Sequence, residues 1–402
     1  MGNESVARCA TDAEPDCDYA AVFARIEAKI PALVEEGRRL LQEAEGLLAQ
    51  LLRRPASRRW RVIERPGFAR PALVYLLLDA SEARLRQAPA EAGNLAQLAA
   101  RLAFRLEPAL RKMAPEAVQA FCLMGNARRQ LGDFAIAEMA FERASLLALD
   151  RADRGRCCRG LGLLRWEQGW VDEGLERLEQ SVRHFEQEGA AAEAGISQAL
   201  LGLCLVNERR YGAASEQLAP ALAALAALAP DAPAGLRGRT AMALGLCRAQ
   251  LGDPEAARAL RLQAWQAVSA VDAGGRLAFH WLEARLTGRL GERRAARLQL
   301  ETVRGAAIEG GWCGEAILVT LDQGPLLGDR EDSSALQRGI AEIEAAFAGQ
   351  DGLREGCERL RTLVQEPPAS AAEDGPAWDE HVRAVRRLLR GRGIRPEPLP
   401  FG

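Results

Sequence analysis

Three segments of this chain share one template, and that recurrence restricts the fold more than any bulk property does. They read Phe121-Cys-Leu-Met-Gly-Asn-Ala-Arg-Arg-Gln-Leu-Gly-Asp-Phe, Cys158-Arg-Gly-Leu-Gly-Leu-Leu-Arg-Trp-Glu-Gln-Gly-Trp-Val and Ala241-Met-Ala-Leu-Gly-Leu-Cys-Arg-Ala-Gln-Leu-Gly-Asp-Pro. Each places a glycine inside a helical stretch (Gly125, Gly162, Gly245) and another seven residues later (Gly132, Gly169, Gly252). Gly202 with the turn Arg209-Arg210-Tyr211, and Ala284 with Gly291, continue the series. A second helical stretch follows each turn. It carries a small residue (Ala137, Gly174, Ala214, Ala257, Ala296) and then a bulky one (Phe141, Leu178, Leu218, Leu260, Leu300). The turns recur every 37 to 43 residues. A small residue within a helix lets its partner approach closely, and a turn glycine takes the left-handed conformation without steric cost. One such hairpin cannot bury its apolar face alone, so the pattern calls for stacked hairpins.

This order of small, turn, small and bulky residues, over about 117–305, resembles the tetratricopeptide-repeat family, in a divergent bacterial-type form. The resemblance implies an all-α, right-handed α-solenoid of stacked antiparallel helix hairpins. The spacing exceeds the family's roughly 34 residues, which implies longer helices and loops. Where the family carries a first-helix tyrosine, this chain has Arg128, Arg165, Leu205, Arg248 and Thr287, and the terminal proline is mostly missing.

The remaining chain divides by its punctuation. Residues 1–17 read as a tail, and 18–114 as an N-terminal helical region of atypical first repeats or a cap. In that region a long helix runs from Tyr19 to about Leu52, and two more cover 72–87 and 90–106. Residues 115–348 hold the solenoid, with a degenerate sixth pair at 313–328 and 333–348, and a capping helix lies within 349–366. Proline and small polar residues make 367–376 a flexible linker. Residues 377–402 give an amphipathic helix and a tail: Trp378, Val382, Val385, Leu388 and Leu389 on one face, Arg383, Arg386, Arg387 and Arg390 on the other. Strand signals are weak throughout.

Composition removes several kinds of chemistry. The chain has 402 residues, 48% hydrophobic, enough to bury a core. Basic and acidic residues nearly cancel, 53 against 55, which makes a nucleic-acid partner unlike this chain. Lys29 and Lys112 are the only lysines and neither follows a glycine, so no phosphate-binding P-loop can form. Gly160-Leu-Gly162 lacks the third glycine and preceding strand of a dinucleotide loop. His184, His280 and His381 lack a ligand or nucleophile at recognisable spacing, and His280 reads as a satisfied buried residue. The nine cysteines include no Cys-x-x-Cys; adjacent Cys157 and Cys158 suit zinc poorly, and Cys204 and Cys247 read as small hydrophobes. No signal sequence or apolar run of membrane length is visible. The expectation is a cytoplasmic, non-enzymatic protein with reduced thiols, no cofactor and no metal.

Arg53 to Arg70 interleaves seven arginines with Trp60 and Phe68, a composition known from nucleic-acid and anionic surfaces. Arginine dominates lysine everywhere here, and Pro55, Pro66 and Pro71 break the stretch, so a solvated interhelical turn is preferred.

The family resemblance also implies a binding surface, because first helices line the inner, concave face. The outward positions it gives include Gln119, Cys122, Asn126 and Arg129, then Arg156, Arg159, Leu163 and Trp166, then Leu203 and Asn207, then Arg239, Met242 and Leu246, then Trp281, Arg285 and Arg289. Packing against neighbouring repeats is the preferred role for the leucines. Such a groove suits an amphipathic helix or an extended peptide with hydrophobic anchors and acidic flanks. Trp166, Trp281 and the arginines are its natural anchors. A clamp for chaperone tails is not expected: Asn126 fits that pattern, but Cys122 and Gly160 stand where its lysine and second asparagine belong. The resulting expectation is a scaffold or adaptor for a protein or peptide; the alternative is a partner-responsive module that controls a transcriptional or signalling effector.

Overall fold

The computed structural model describes residues 19–85, 87–110, 114–228, 235–267, 273–326, 330–349, 353–365 and 376–391. The tails expected at 1–17 and beyond 391, and the linker up to 375, lie outside the described residues. Among the described residues there are helices and turns and no strand. The chain divides into two units, 1–76 and 77–402. The division falls inside the helix Pro71–Arg84.

The first unit holds α1 (Tyr19–Leu52), α2 (Ala56–Ile63), a 3-10 turn (Pro66–Phe68) and the start of α3 (Pro71–Arg84). Prolines act here as the sequence requires. Pro55 precedes α2, and Pro66 and Pro71 open the next two elements, where a missing N–H costs nothing. Arg59 is buried and folds back on the end of α1, donating from Nε to the Arg54 carbonyl at 3.0 Å and from Nη2 to the Leu52 carbonyl at 3.3 Å. One of the seven arginines of this stretch is therefore a helix cap. Its neighbour Arg61 lies 5.1 Å over the exposed Trp60 ring.

The second unit is an all-α solenoid of consecutive antiparallel hairpins. After α4 (Pro89–Leu110) come α5 (Ala114–Gln130) and α6 (Phe134–Leu147), then α7 (Arg151–Gln168) and α8 (Val171–Gln187). Next are α9 (Ala191–Asn207) with α10 (Tyr211–Ala227), α11 (Leu236–Gln250) with α12 (Pro254–Ala267), and α13 (Ala273–Arg289) with α14 (Arg293–Glu309). Helices α15 (Cys313–Gln323), α16 (Arg330–Ala346), α17 (Leu353–Gln365) and α18 (Pro376–Gly391) complete it. α15 stops at Gln323, short of the expected 328, because Gly324-Pro325 follows and a 3-10 turn replaces the helix.

The repeat template has a direct steric meaning. A Cβ added at Gly125 would sit 2.7 Å from the Phe141 ring, and one at Gly162 would sit 2.9 Å from the Gly174 carbonyl oxygen. Phe141, Leu178 and Leu218 of the second helices fill the places that Gly125, Gly162 and Gly202 of the first leave open. Gly132, Gly169, Gly252 and Gly291 all adopt positive φ at the hairpin turns. The third hairpin has Arg209 in that place, at φ 60°, a conformation that costs a non-glycine residue about 1 kcal/mol or more. Its side chain is held by an ion pair with Asp322 and a 2.9 Å hydrogen bond to the Tyr211 hydroxyl.

Candidate partner-binding site

The first helices do not form a free wall over their whole length. In α9 every residue from Ala199 to Val206 is buried, and in α11 every residue from Gly238 to Cys247. Leu163 and Trp166 of α7 share one core with α9, α11 and Phe279, Leu282 and Leu286 of α13. The first-helix layer thus packs on itself, and most residues expected to face outward are interior.

Trp166 and Met242 are buried, as are Leu163, Leu203 and Leu246. The Trp166 indole donates to a Glu208 carboxylate oxygen at 3.0 Å. Trp281 is also buried and donates to Asp322 at 2.8 Å. Arg129 is wholly buried in an ion pair with Glu167. Arg239 and Arg285 are interior as well, and Arg285 reaches the Tyr211 hydroxyl at 3.3 Å. Asn207 is half-buried, and Arg289 borders a small cavity of about 40 Å³ beside Asp322 and Asp379. Burial of Arg129, Trp166, Arg239, Met242, Trp281 and Arg285 corrects their expected role on the surface, burial of the three leucines agrees with their preferred packing role, and Asn207 and Arg289 keep part of their surface. His280 is corrected in the other direction. It is largely exposed, 3.5 Å from Glu283, on the wall of a cavity of about 520 Å³ between α13 and α14.

Six of the expected outward residues do converge: Gln119, Cys122, Asn126, Arg156, Arg159 and Leu163. Asn126, Arg156 and Arg159 border a cleft of about 270 Å³ among α5, α7 and α9, roofed by the end of α3. Its apolar floor is Leu123, Leu163, Ile196 and Leu200, with Leu85 and Cys122 beside them, and its polar groups are Gln119, Glu82 and Glu193. Sequence reasoning found Gln119 and Cys122 but missed Glu82 and Glu193, because contacts between separate helices leave no fixed spacing in a sequence.

The charges in the cleft are paired but accessible. Arg159 donates to Glu193 at 2.6 Å and lies 5.4 Å over the Phe185 ring. Burial alone would raise the Glu193 carboxyl, but Arg159 outweighs it and holds the group below its ordinary range. Arg156 donates to Asp153 at 2.7 Å. Desolvation, with Asp79 and Glu193 adding to it, pushes the Glu82 carboxyl up. Asn126 accepts from Arg129 Nε at 3.4 Å, so the buried Arg129–Glu167 pair orients the amide. Cys122 and Cys157 lie with their sulfurs 3.9 Å apart. That contact and burial hold the Cys122 thiol well above its ordinary range, which keeps the sulfur protonated.

This arrangement sets polar groups around an apolar floor. Carboxamides donate and accept at once, as a peptide backbone requires. Arg159 can exchange the part-exposed Glu193 for a carboxylate on a ligand. A volume near 270 Å³ lies below the roughly 300–1,000 Å³ of small-molecule sites. Among the described residues no group of histidine, cysteine, aspartate and glutamate could hold a metal, and no helix is long and apolar enough to cross a membrane.

Helix α18 occupies a second part of the same face. Val382, Val385 and Leu389 are buried in a core shared with α13 to α17. Arg386 and Arg390, expected on the basic face opposite the apolar one, are buried too, a correction that the helix period explains. They follow Val382 by four and eight residues, which places them beside the apolar stripe. Arg390 stacks 4.0 Å over the Trp166 ring and donates from both terminal nitrogens to Glu208 at 3.2 Å. Asp379 lies 3.7 Å from Arg209.

No family model and no curated protein matches this chain. Among solved structures, the crystal structure of BtubC (BKLC) from P. vanneervenii is similar, with a TM-score of 0.44 and 15% identity, over 56% of this chain and 93% of that one. Similarity at that level transfers neither fold nor function.

Proposed function

We propose that this chain is a divergent tetratricopeptide-repeat adaptor, cytoplasmic and without chemistry of its own, that binds a peptide segment of a protein partner in the α5–α7–α9 cleft. The supporting observation is the convergence of Asn126, Arg156 and Arg159 on an apolar floor of matching size. The ligand it fits carries one or two aliphatic side chains next to a carboxylate, which competes with Glu193 for Arg159. Panning the full chain against a displayed peptide library, with anisotropy on the enriched peptides, tests this reading. Arg159→Ala and the cleft-filling Gln119→Trp each weaken those peptides about tenfold while the melting temperature holds. Enriched peptides indifferent to both variants would sink it.

A second reading, a partner-responsive regulator, draws support from α18, which joins the early and late hairpins through one helix.

A further inference from the structure

The seat of α18 is charged in a way that a plain core is not. Its apolar floor belongs to α15 and α17, where Leu389 lies 3.5 Å from the position a Gly356 Cβ would take. Its polar end belongs to the α7 to α10 region. There the Trp166 ring, the Glu208 carboxylate and the Gly169 turn enclose the Arg390 side chain. The arginine stem packs over the turn glycine, its Cβ 3.6 Å from the position a Cβ at Gly169 would occupy. An aromatic face over one side of a guanidinium and a carboxylate at its edge is the geometry that recognises arginine. A second buried acid, Asp322, pairs with Arg209 and Arg285 and exerts a longer-range attraction on Arg386, the other arginine of α18. Burial would raise its carboxyl, but Arg209, Arg285 and Arg386 outweigh that and hold it below its ordinary range. Buried ion pairs add little net stability compared with apolar contacts of the same size, yet they discriminate strongly among occupants.

We propose that this seat is a binding site for an arginine-bearing amphipathic helix, that α18 is its occupant in cis, and that a partner helix of the same pattern takes the seat by displacing α18. The pattern is aliphatic at i, i+3 and i+7, with arginine at i+4 and i+8, as in Val382, Val385, Leu389, Arg386 and Arg390. The partner is basic, in contrast to the acidic segment that fits the cleft. Displacement leaves α5, α6 and the cleft arginines in place, so this inference stands or falls apart from the cleft reading.

The probe is a fluorescein-labelled synthetic peptide of residues 376–391, measured by anisotropy against the full chain. Wild type, whose seat is filled, binds it weakly. The full-chain variant Arg386→Glu with Arg390→Glu vacates the seat and binds the probe at least about tenfold more tightly. A probe carrying the same two substitutions does not bind, and adding Glu208→Gln to the variant weakens the wild-type probe about tenfold. Loss of the variant's cooperative melt, or a probe affinity equal to wild type's, would overturn the proposal by making α18 a fixed part of the core. Native-state hydrogen exchange on wild type gives an independent reading. The amides of 376–391 exchange by a local opening, well before those of α9 and α11; exchange of all three only through global unfolding would equally overturn it.

Discussion

The cleft and the α18 seat lie on the same layer of first helices, and they differ in what completes them. In the cleft, Arg159 and Glu193 both keep part of their surface, so exchange with a ligand costs less than it would in the interior, and Arg156 is part-exposed although its Asp153 is buried. In the seat, Arg390, Glu208 and Trp166 satisfy one another away from water. Charged residues of the same types stand open to an external ligand in one place and are covered by the chain's own helix in the other. Solvent access separates the two roles, since an ion pair in water is worth little and an unpaired charge out of water is expensive.

The sharpest way to break this contrast is to remove one partner in each region. Glu208→Ala leaves Arg390 buried without its carboxylate and takes the acceptor from the Trp166 indole. It should cost about 3–5 kcal/mol in denaturant unfolding. Restoring neutrality with Arg390→Met should recover most of that loss; a double variant no better than the single one would show that the pair is not the cause.

Asp322→Asn should cost a similar amount, and its pH dependence is diagnostic. Asp322 titrates below its ordinary 3.8 in the fold, so its contribution is complete above that pH and lost as pH falls further. The gap between wild type and variant should therefore narrow below pH 3.8; a gap that stays constant from pH 7 to pH 2.5 contradicts the assignment.

Hairpin packing gives a smaller effect. Gly162→Ala forces a methyl against the Gly174 carbonyl, with an expected loss of about 1–3 kcal/mol read from the melting temperature. Arg159→Ala, in the cleft, should change stability by no more than about 1 kcal/mol while removing peptide binding. The smallest effect is at Glu82, whose pKa is raised from 4.5. A raised carboxyl favours the fold while protonated, so this contribution is present below pH 4.5 and lost as pH rises through its folded value. Glu82→Gln should be slightly stabilising at pH 7 and neutral near pH 4, opposite in sign to Asp322→Asn.

Much of the hairpin architecture was legible in the chain. The run from Tyr19 to Leu52 matches α1, and the glycines expected at turns adopt positive φ. Gly125 opposite Phe141, and Gly162 opposite Leu178 and Gly174, are the contacts that the small and bulky residues foretold. The closure of the inner layer was missed, although a signal existed. Leu200-Leu-Gly-Leu-Cys-Leu-Val206 has no polar face at all, and a helix apolar on every side is buried on every side. Arg386 and Arg390 carried a similar signal in their spacing from Val382. Glu208 and Asp322 carried none, since their partners lie 182 and 113 residues away in sequence.

The sequence by itself determined the helices, their turns and the pairing within each hairpin, because those depend on backbone sterics and on residues a few turns apart. Only the tertiary structure decided which first-helix residues meet solvent, which arginines are spent on internal carboxylates, and where α18 rests. Those outcomes depend on how far successive hairpins curl before their inner faces touch, a sum of small packing angles over many helices that no local pattern records.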